Sequence, residues 1–288
     1  MAEIIKGAEV KANLIEQMKK KMEETGVTPQ LAIVRVGAND SDLAYERGVK
    51  KTCESIGISL NVVELPEDIS QADFEARFKE VNDDPANHGI LLFRPLPPTL
   101  DDKPVIAMID PDKDMDCMCP YNWAKLAMGD NSGYFPCTAE AVMQILQFAN
   151  VKISGAKAVV IGRSQVIGKP VGLMLLSKSA TLTWCHSRTR DLAEACKDAE
   201  ILVSACGVAG IVDKKIAEGV AEGCVAIDVG MNFVDGKMCG DMAFDEVEPY
   251  MGKITPVPGG VGAVTNTIMC SHVVRAAVKA KTGEVFNF

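Results

Sequence analysis

One stretch, Lys157 to Pro170, reading KAVVIGRSQVIGKP, limits what this chain can fold into more than any other. An apolar, β-branched run from Ala158 to Ile161 ends on Gly162. Arg163 and Ser164 follow, then a short apolar step to a second glycine, Gly168. After Lys169 and Pro170, the apolar run Val171 to Leu176 has helical length. The order is strand, glycine turn, helix, the first βα unit of a dinucleotide-binding fold. A glycine at the strand end lets the backbone approach a pyrophosphate, and the helix N-terminus offers unpaired N–H groups to its charge. The spacing departs from G-x-G-x-x-G, because Ser164 stands at the second glycine and Gly168 falls one residue late. Alone, the stretch fits an ordinary strand-to-helix turn equally well.

The residues downstream separate the two readings. The next strand candidate is Ala180 to Cys185. A site for NAD places Asp or Glu about 20 residues past the first glycine, to hold the ribose 2′-hydroxyl. That place holds His186-Ser187-Arg188-Thr189, and the first acid is Asp191. A hydroxyl and a guanidinium suit a 2′-phosphate, and Arg163 adds a second guanidinium. The candidate cofactor residues are therefore Gly162, Arg163, Ser164, Gly168, Ser187 and Arg188. NADP is expected, with NAD as the alternative. The competing reading of Arg188 is a solvated loop charge.

Length and composition set the frame. A chain of 288 residues fits one large or two medium domains. Hydrophobic content of 48% with 24% charged residues is that of a soluble globular protein. Net charge is −9 and the pI about 5.0, which argues against nucleic acid and anionic membrane as partners. The ten cysteines are scattered through apolar segments, as buried thiols are, without a disulfide framework. MAEIIKGAEV lacks the apolar core of a secretory signal, so a reducing cytoplasm is expected. No apolar run reaches membrane-span length. Cys117-Met118-Cys119 lacks C-x-x-C spacing, and His88, His186 and His272 lie far apart, so no metal site is expected.

Along the chain, apolar positions at helical spacing predict a helix over residues 8–24, then a strand at Gln30 to Val36. Asp40 or Ser41 is placed to cap the next helix, which runs to about Ser55. A strand at Ile58 to Leu65, a helix at Ser70 to Val81 and a strand at Gly89 to Phe93 complete a βαβαβ unit. Its strands read as too apolar to meet solvent on either face. Residues 100–135 carry several prolines and read as a loop-rich domain junction. A helix at Ala139 to Ala149, capped by Thr138, leads into the opening stretch. Strands near Ile201 to Ala205 and Cys224 to Val229 predict a second parallel sheet. Pro256 to Gly262 is a glycine-rich loop before a last helix at Asn266 to Lys281.

Several separate motifs now match one family. They are Tyr45 on the helix ending in Gly57-Ile58, Pro111-Asp-Lys-Asp-Met-Asp116, Pro136-Cys-Thr138, and Gly162-Arg-Ser164 with Gly168-x-Pro170. To these add Cys185-His-Ser187, Ile227-Asp-Val-Gly230 and Thr255-Pro-Val-Pro-Gly-Gly-Val-Gly262. Over its whole length the chain resembles the methylenetetrahydrofolate dehydrogenase/methenyltetrahydrofolate cyclohydrolase family. The resemblance implies two α/β domains with a cleft between them, the C-terminal one a Rossmann-type parallel sheet. It implies a folate-binding domain over 1–138, rejoined by the last helix at 266–288, and a dinucleotide-binding domain over 139–265. It further implies a homodimer. Tyr45 would stack on the folate ring system, Asp116 would hydrogen-bond the pterin, and Pro258, Gly259 and Gly262 would line the substrate cleft. Outside such a family, a helical tyrosine more often packs and a loop aspartate more often caps a turn.

The departures bear on chemistry. Bifunctional members read Tyr-x-x-x-Lys-x-Lys on this helix, and the first lysine drives the hydrolytic step. Here the helix reads Tyr45-Glu-Arg-Gly-Val49-Lys50-Lys51, so Val49 takes the lysine's place. The third strand of the family ends with a glutamine bonded to that lysine, and Phe93 stands there. Cys117 replaces a glycine, and Ala139 and Ala263 replace prolines. The expectation is an NADP-dependent methylenetetrahydrofolate dehydrogenase with weak or no cyclohydrolase activity. One alternative is a bifunctional enzyme in which Lys50 or Arg94 replaces the lost lysine. Another is a nucleotide- or folate-binding protein without turnover.

Overall fold

The computed structural model describes residues 1–288. In chain order the strands are β1 (Glu3–Ile4), β2 (Gln30–Val36), β3 (Ser59–Leu65), β4 (Gly89–Leu92), β5 (Lys157–Ile161), β6 (Thr181–Cys185), β7 (Ile201–Ser204), β8 (Val225–Asp228), β9 (Asn232–Val234), β10 (Lys237–Cys239) and β11 (Lys253–Ile254). The helices are α1 (Gly7–Thr25), α2 (Asp40–Ile56), α3 (Gln71–Asp83), α4 (Lys103–Met108), α5 (Pro120–Met128), α6 (Cys137–Phe148), α7 (Gly168–Ser177), α8 (Leu192–Cys196), α9 (Lys214–Ala217), α10 (Phe244–Val247) and α11 (Thr265–Thr282). The chain divides into two compact units, Asn13–Cys137 with Asn266–Phe288, and Met1–Ala12 with Thr138–Thr265.

The unit that holds α2 is built on a parallel sheet in the order β3-β2-β4. Leu31 to Val34 of the central strand are fully buried, which is why β2 reads as an unbroken apolar run. Phe74 and Phe78 of α3 pack on one face of the sheet, with Ile90, Leu92 and Val105. β3 corrects the expectation that all these strands are buried on both faces. It is an edge strand, with Ser59, Asn61 and Glu64 among its residues and Val62 exposed. The loop-rich region is also more ordered than its prolines suggest. Pro104 and Pro120 sit in the first turns of α4 and α5, where a missing N–H costs nothing. The N-cap of α2 is Asn39, one residue before the expected Asp40, and its side chain accepts from the Asp42 N–H at 2.9 Å.

The other unit carries a six-stranded sheet, order β1-β11-β8-β7-β5-β6, in which every pairing is parallel. Its core gathers Val159, Ile161, Leu202, Ala226 and Ile254 from the strands, with Cys185, Cys196 and Cys224 as buried thiols. The first dozen residues belong here and not with the domain that follows them. Glu3 and Ile4 pair with Lys253 and Ile254, and the Gly7 N–H donates to the Gly259 carbonyl at 2.8 Å. β9 and β10 form a separate antiparallel hairpin that the sequence did not reveal. No helix is long and apolar enough to cross a membrane.

Candidate functional site

In the six-stranded unit, β5 ends at Ile161 and the chain turns at Gly162 with φ +127°. A Cβ at Gly162 would stand 2.3 Å from the Ala205 carbonyl oxygen, and one at Gly168 would stand 2.3 Å from the Gly162 carbonyl oxygen. Both positions therefore require glycine, and the displaced third glycine of the motif serves close packing of the helix start on the strand-end turn here. Ser164 has a different task from the glycine it replaces. Its Oγ accepts from the N–H groups of Ile167 at 3.1 Å and Gly168 at 3.3 Å, closing the first turn of α7. Arg163 to Val166 are exposed above this turn.

The neighbouring strand end supplies the second part. Ile161 pairs with Cys185, and the Gly162 N–H donates to the Cys185 carbonyl at 2.9 Å, so the two turns lie side by side. The His186–Thr189 turn is held by the His186 N–H on Thr189 Oγ1 at 2.9 Å and the Arg188 N–H on His186 Nδ1 at 3.1 Å. Ser187 and Arg188 are exposed on it. Asp191 is the N-cap of α8, accepting from the Glu194 N–H at 3.1 Å. No carboxylate thus stands at the strand end to receive a ribose 2′-hydroxyl, while two exposed guanidiniums do. These residues fit a dinucleotide bearing a 2′-phosphate. Pro258, Gly259 and Gly262 are exposed in the loop after β11 of the same unit.

In the other unit a cavity of about 180 Å³ is lined by Asp42, Tyr45, Phe93, Arg94, Asp116 and Met118, with Ile90 to Leu92 forming its strand wall. Tyr45 is 42% exposed, and its ring meets that of Phe93 at 5.3 Å between centroids. Burial raises the Tyr45 hydroxyl far above its ordinary value, so it stays a neutral phenol. Val49, one helical turn on from Tyr45, is completely buried, and Phe93 is 5% exposed. Lys50 is exposed on α2 and does not line the cavity, so the structure does not bring it to Tyr45 and Asp116. Arg94 does line it, and is ion-paired with Asp102 at 3.4 Å.

Asp116 is held in place by a second aspartate. Asp114 is fully buried and accepts from the N–H groups of Met118 at 2.8 Å and Cys119 at 2.9 Å and from Asn122 Nδ2 at 3.2 Å. It folds the segment into a turn on which Cys117 takes φ +57°, the region a glycine enters without strain. Asp116 accepts from the Cys137 N–H at 2.9 Å, and burial raises its carboxyl above the usual range. His272 Nδ1–H donates to the Met115 carbonyl at 2.8 Å, fixing the residue next to it. Asp114 lies within the Pro111–Asp116 motif, but nothing in the sequence distinguishes its buried structural part from that of Asp116; His272 stands in no motif and reads as a core histidine.

Comparison with known proteins agrees with this geometry. Residues 136–281 match the model for the NAD(P)-binding domain of tetrahydrofolate dehydrogenase/cyclohydrolase, and residues 5–116 match that for its catalytic domain. The bifunctional protein FolD 1 of Desulfitobacterium hafniense is 48% identical over 93% of this chain and 94% of its own. The bifunctional protein FolD of Clostridioides difficile is 46% identical over 95% of this chain and 96% of its own. Among solved structures, the bifunctional methylenetetrahydrofolate dehydrogenase/cyclohydrolase of Campylobacter jejuni superposes with a TM-score of 0.90 at 34% identity, covering 96% of this chain and 99% of that one. The Trypanosoma brucei enzyme, solved with NADP and an inhibitor, gives 0.86 at 32% identity over 96% and 97%.

Proposed function

The chain belongs to the tetrahydrofolate dehydrogenase/cyclohydrolase family, and from that premise we propose that it oxidises 5,10-methylenetetrahydrofolate to the methenyl form with NADP, in the cytoplasm, and hydrolyses the product weakly or not at all. The bound dinucleotide supplies the acceptor for the hydride that leaves the bridging carbon. Tyr45 stacks on the folate ring system as a neutral phenol, and Asp116 accepts from the pterin. Pro258, Gly259 and Gly262 line the substrate's path on the cofactor-binding unit. Arg163, Ser187 and Arg188 meet the 2′-phosphate, with Gly162, Ser164 and Gly168 shaping the turn under the pyrophosphate. The two nitrogens of the folate carry the product's positive charge. The protein's task is then to hold the donor and acceptor carbons close, and no lysine is required for that.

The observation that carries the reading is that the ring of Phe93 packs on Tyr45 in the cavity, while the helix position one turn after Tyr45 holds the fully buried Val49. A hydrolytic step needs a water activated at the bridging carbon, and neither side chain can donate to it or accept from it. The relatives' names make retained hydrolysis the competing reading, with Lys50 as its agent. Against it stands the exposure of Lys50 outside the cavity lining. A steady-state assay of NADPH formation and of methenyl-folate loss, each with both dinucleotides, tests the assignment. Methenyl-folate accumulating in step with NADPH supports it, and no dehydrogenase turnover refutes it.

The same reading includes a homodimer. Met231 (69% exposed), Phe233 (67%) and Met238 (39%), the cross-strand partner of Phe233, place large apolar side chains on one face of the β9–β10 hairpin and beside it. A second copy is the occupant we assign to this face. Phe233→Asp should shift the sedimentation or light-scattering mass from dimer to monomer, and a monomeric wild type overturns this part.

A further inference from the structure

Asp241 is completely buried between β10 and α10, outside every motif described above. It is nonetheless the most heavily bonded side chain of its unit. Oδ2 accepts from the N–H of Cys206 at 2.8 Å, the N–H of Gly207 at 3.2 Å and Ser204 Oγ at 3.1 Å. Oδ1 accepts from the N–H of Val208 at 2.9 Å and Asn232 Nδ2 at 3.0 Å. Three successive backbone N–H groups of one loop are thus turned inward onto a single carboxylate. A second buried carboxylate holds Asp241 in turn, since the Asp241 N–H donates to Asp228 Oδ1 at 3.0 Å.

The place of that loop gives the arrangement its meaning. In the order β1-β11-β8-β7-β5-β6, the chain runs outward from β5 to β6 and then returns to the far side of β5 as β7. Strand order reverses between β5 and β7, and in open parallel sheets ligands bind beyond the carboxyl ends of the strands at this reversal. The carboxyl end of β5 is the Gly162 turn, and that of β7 is the Ala205–Val208 loop. The two touch: the Ala205 N–H donates to the Ile161 carbonyl at 2.8 Å, and a Cβ on Gly162 would strike the Ala205 carbonyl oxygen. Cys206, Gly207 and Val208 are exposed, and a Cβ on Gly207 would meet nothing within 4 Å. The loop is therefore rigidly anchored beneath and open above.

We propose that Asp241 is a positioning residue for the dinucleotide site, holding the Cys206–Val208 loop as the wall opposite the His186–Arg188 turn. This rests on the dinucleotide-dependent reading above. Asp241 touches no ligand. It acts by consuming the loop's N–H groups, so that the loop presents its open Gly207 face to the dinucleotide and cannot collapse toward Gly162.

The test is Asp241→Asn in the full chain. The amide keeps the shape but sets an N–H₂ donor against N–H donors on one side of the hub, which releases the loop. Binding of NADP, read by its fluorescence in the absence of folate, should weaken at least tenfold. KM for NADP should rise in parallel, while kcat at saturating NADP and KM for the folate stay within about threefold. A purely structural role would instead lower the active fraction, cutting kcat with both KM values unchanged. That result, or unchanged NADP binding by a folded variant, overturns the proposal. Should Asp241→Asn fail to fold, Ser204→Ala removes a single bond to the same oxygen. It should weaken NADP binding a few-fold with the folate KM unchanged, and no change there overturns the proposal equally. If wild-type protein binds no dinucleotide, it is the functional reading that fails, and the inference falls with it.

Discussion

Restoring the missing pair, Val49→Lys with Phe93→Gln, should create or greatly raise methenyl-folate hydrolysis. The two single changes should each do little and cost stability. Val49 has no exposed surface, so a lone lysine there is an ammonium without an acceptor, and burial drives its pKa down. Phe93→Gln alone removes a ring pair worth about 0.5–1.5 kcal/mol with Tyr45 and leaves an amide whose unmet hydrogen bonds cost about 1–3 kcal/mol. Together the amide and the amine satisfy one another, so the double variant should be more stable than the sum of the singles. General acid–base help of the kind added contributes about 10²–10⁴-fold. That corresponds to about 2.7–5.4 kcal/mol off the barrier to hydrolysis. The assay follows decay of added methenyl-folate by its near-ultraviolet absorbance against the buffer rate, with urea midpoints run on all four proteins. Two results would refute the reasoning. One is a wild type that already clears methenyl-folate far faster than buffer. The other is a Val49→Lys single variant as active as the double, which would show the glutamine to be idle.

Other outcomes follow from the same geometry. Arg163→Ala should raise KM for NADP about 10- to 150-fold, from the roughly 1.5–3 kcal/mol of one charge-assisted contact, and leave KM for NAD nearly unchanged; equal losses for both dinucleotides would remove Arg163 from the 2′-phosphate. Burial raises Asp228 to about 6 against three backbone N–H donors. Between the ordinary carboxylate value and about 6 the folded protein holds a proton that the unfolded chain has lost, so this group's contribution to stability falls as pH rises through that window. The unfolding free energy of wild type relative to Asp228→Asn should therefore decline by up to about 3 kcal/mol from pH 4 to pH 7, and a flat difference would contradict it.

Much of the fold was legible because burial on both faces writes itself as an unbroken apolar run, as in β2, β5 and β7. The elements that escaped were those whose reasons lie far away in sequence. β1 is two residues long and exists only because β11, some 250 residues later, offers it an edge. The β9–β10 hairpin lies largely exposed and carries no alternating pattern. Prolines in residues 100–135 suggested loops, since sequence does not say whether a proline breaks a helix or begins one. The site divides in the same way. Tyr45, Asp116 and the Gly162 turn stand in motifs whose members are neighbours along the chain. Asp241 takes its loop bonds from residues 33 to 37 positions away, a spacing that marks nothing until the sheet is built.

The division of the chain into Met1–Ala12 with Thr138–Thr265, and Asn13–Cys137 with Asn266–Phe288, bears on how the protein comes off the ribosome. Each unit is encoded in two pieces, separated along the chain by a piece of the other. The unit that holds α2 has its sheet by residue 92 yet must wait for α11, where Cys270, Val273 and Val274 are wholly buried. Synthesis therefore leaves that core open from residue 92 until α11 begins at residue 265. A gene cut at residue 137 would express a half with an uncovered apolar face, and such a fragment should be recovered with chaperones or in aggregates. Supplying residues 266–288 in trans should return part of it to solution.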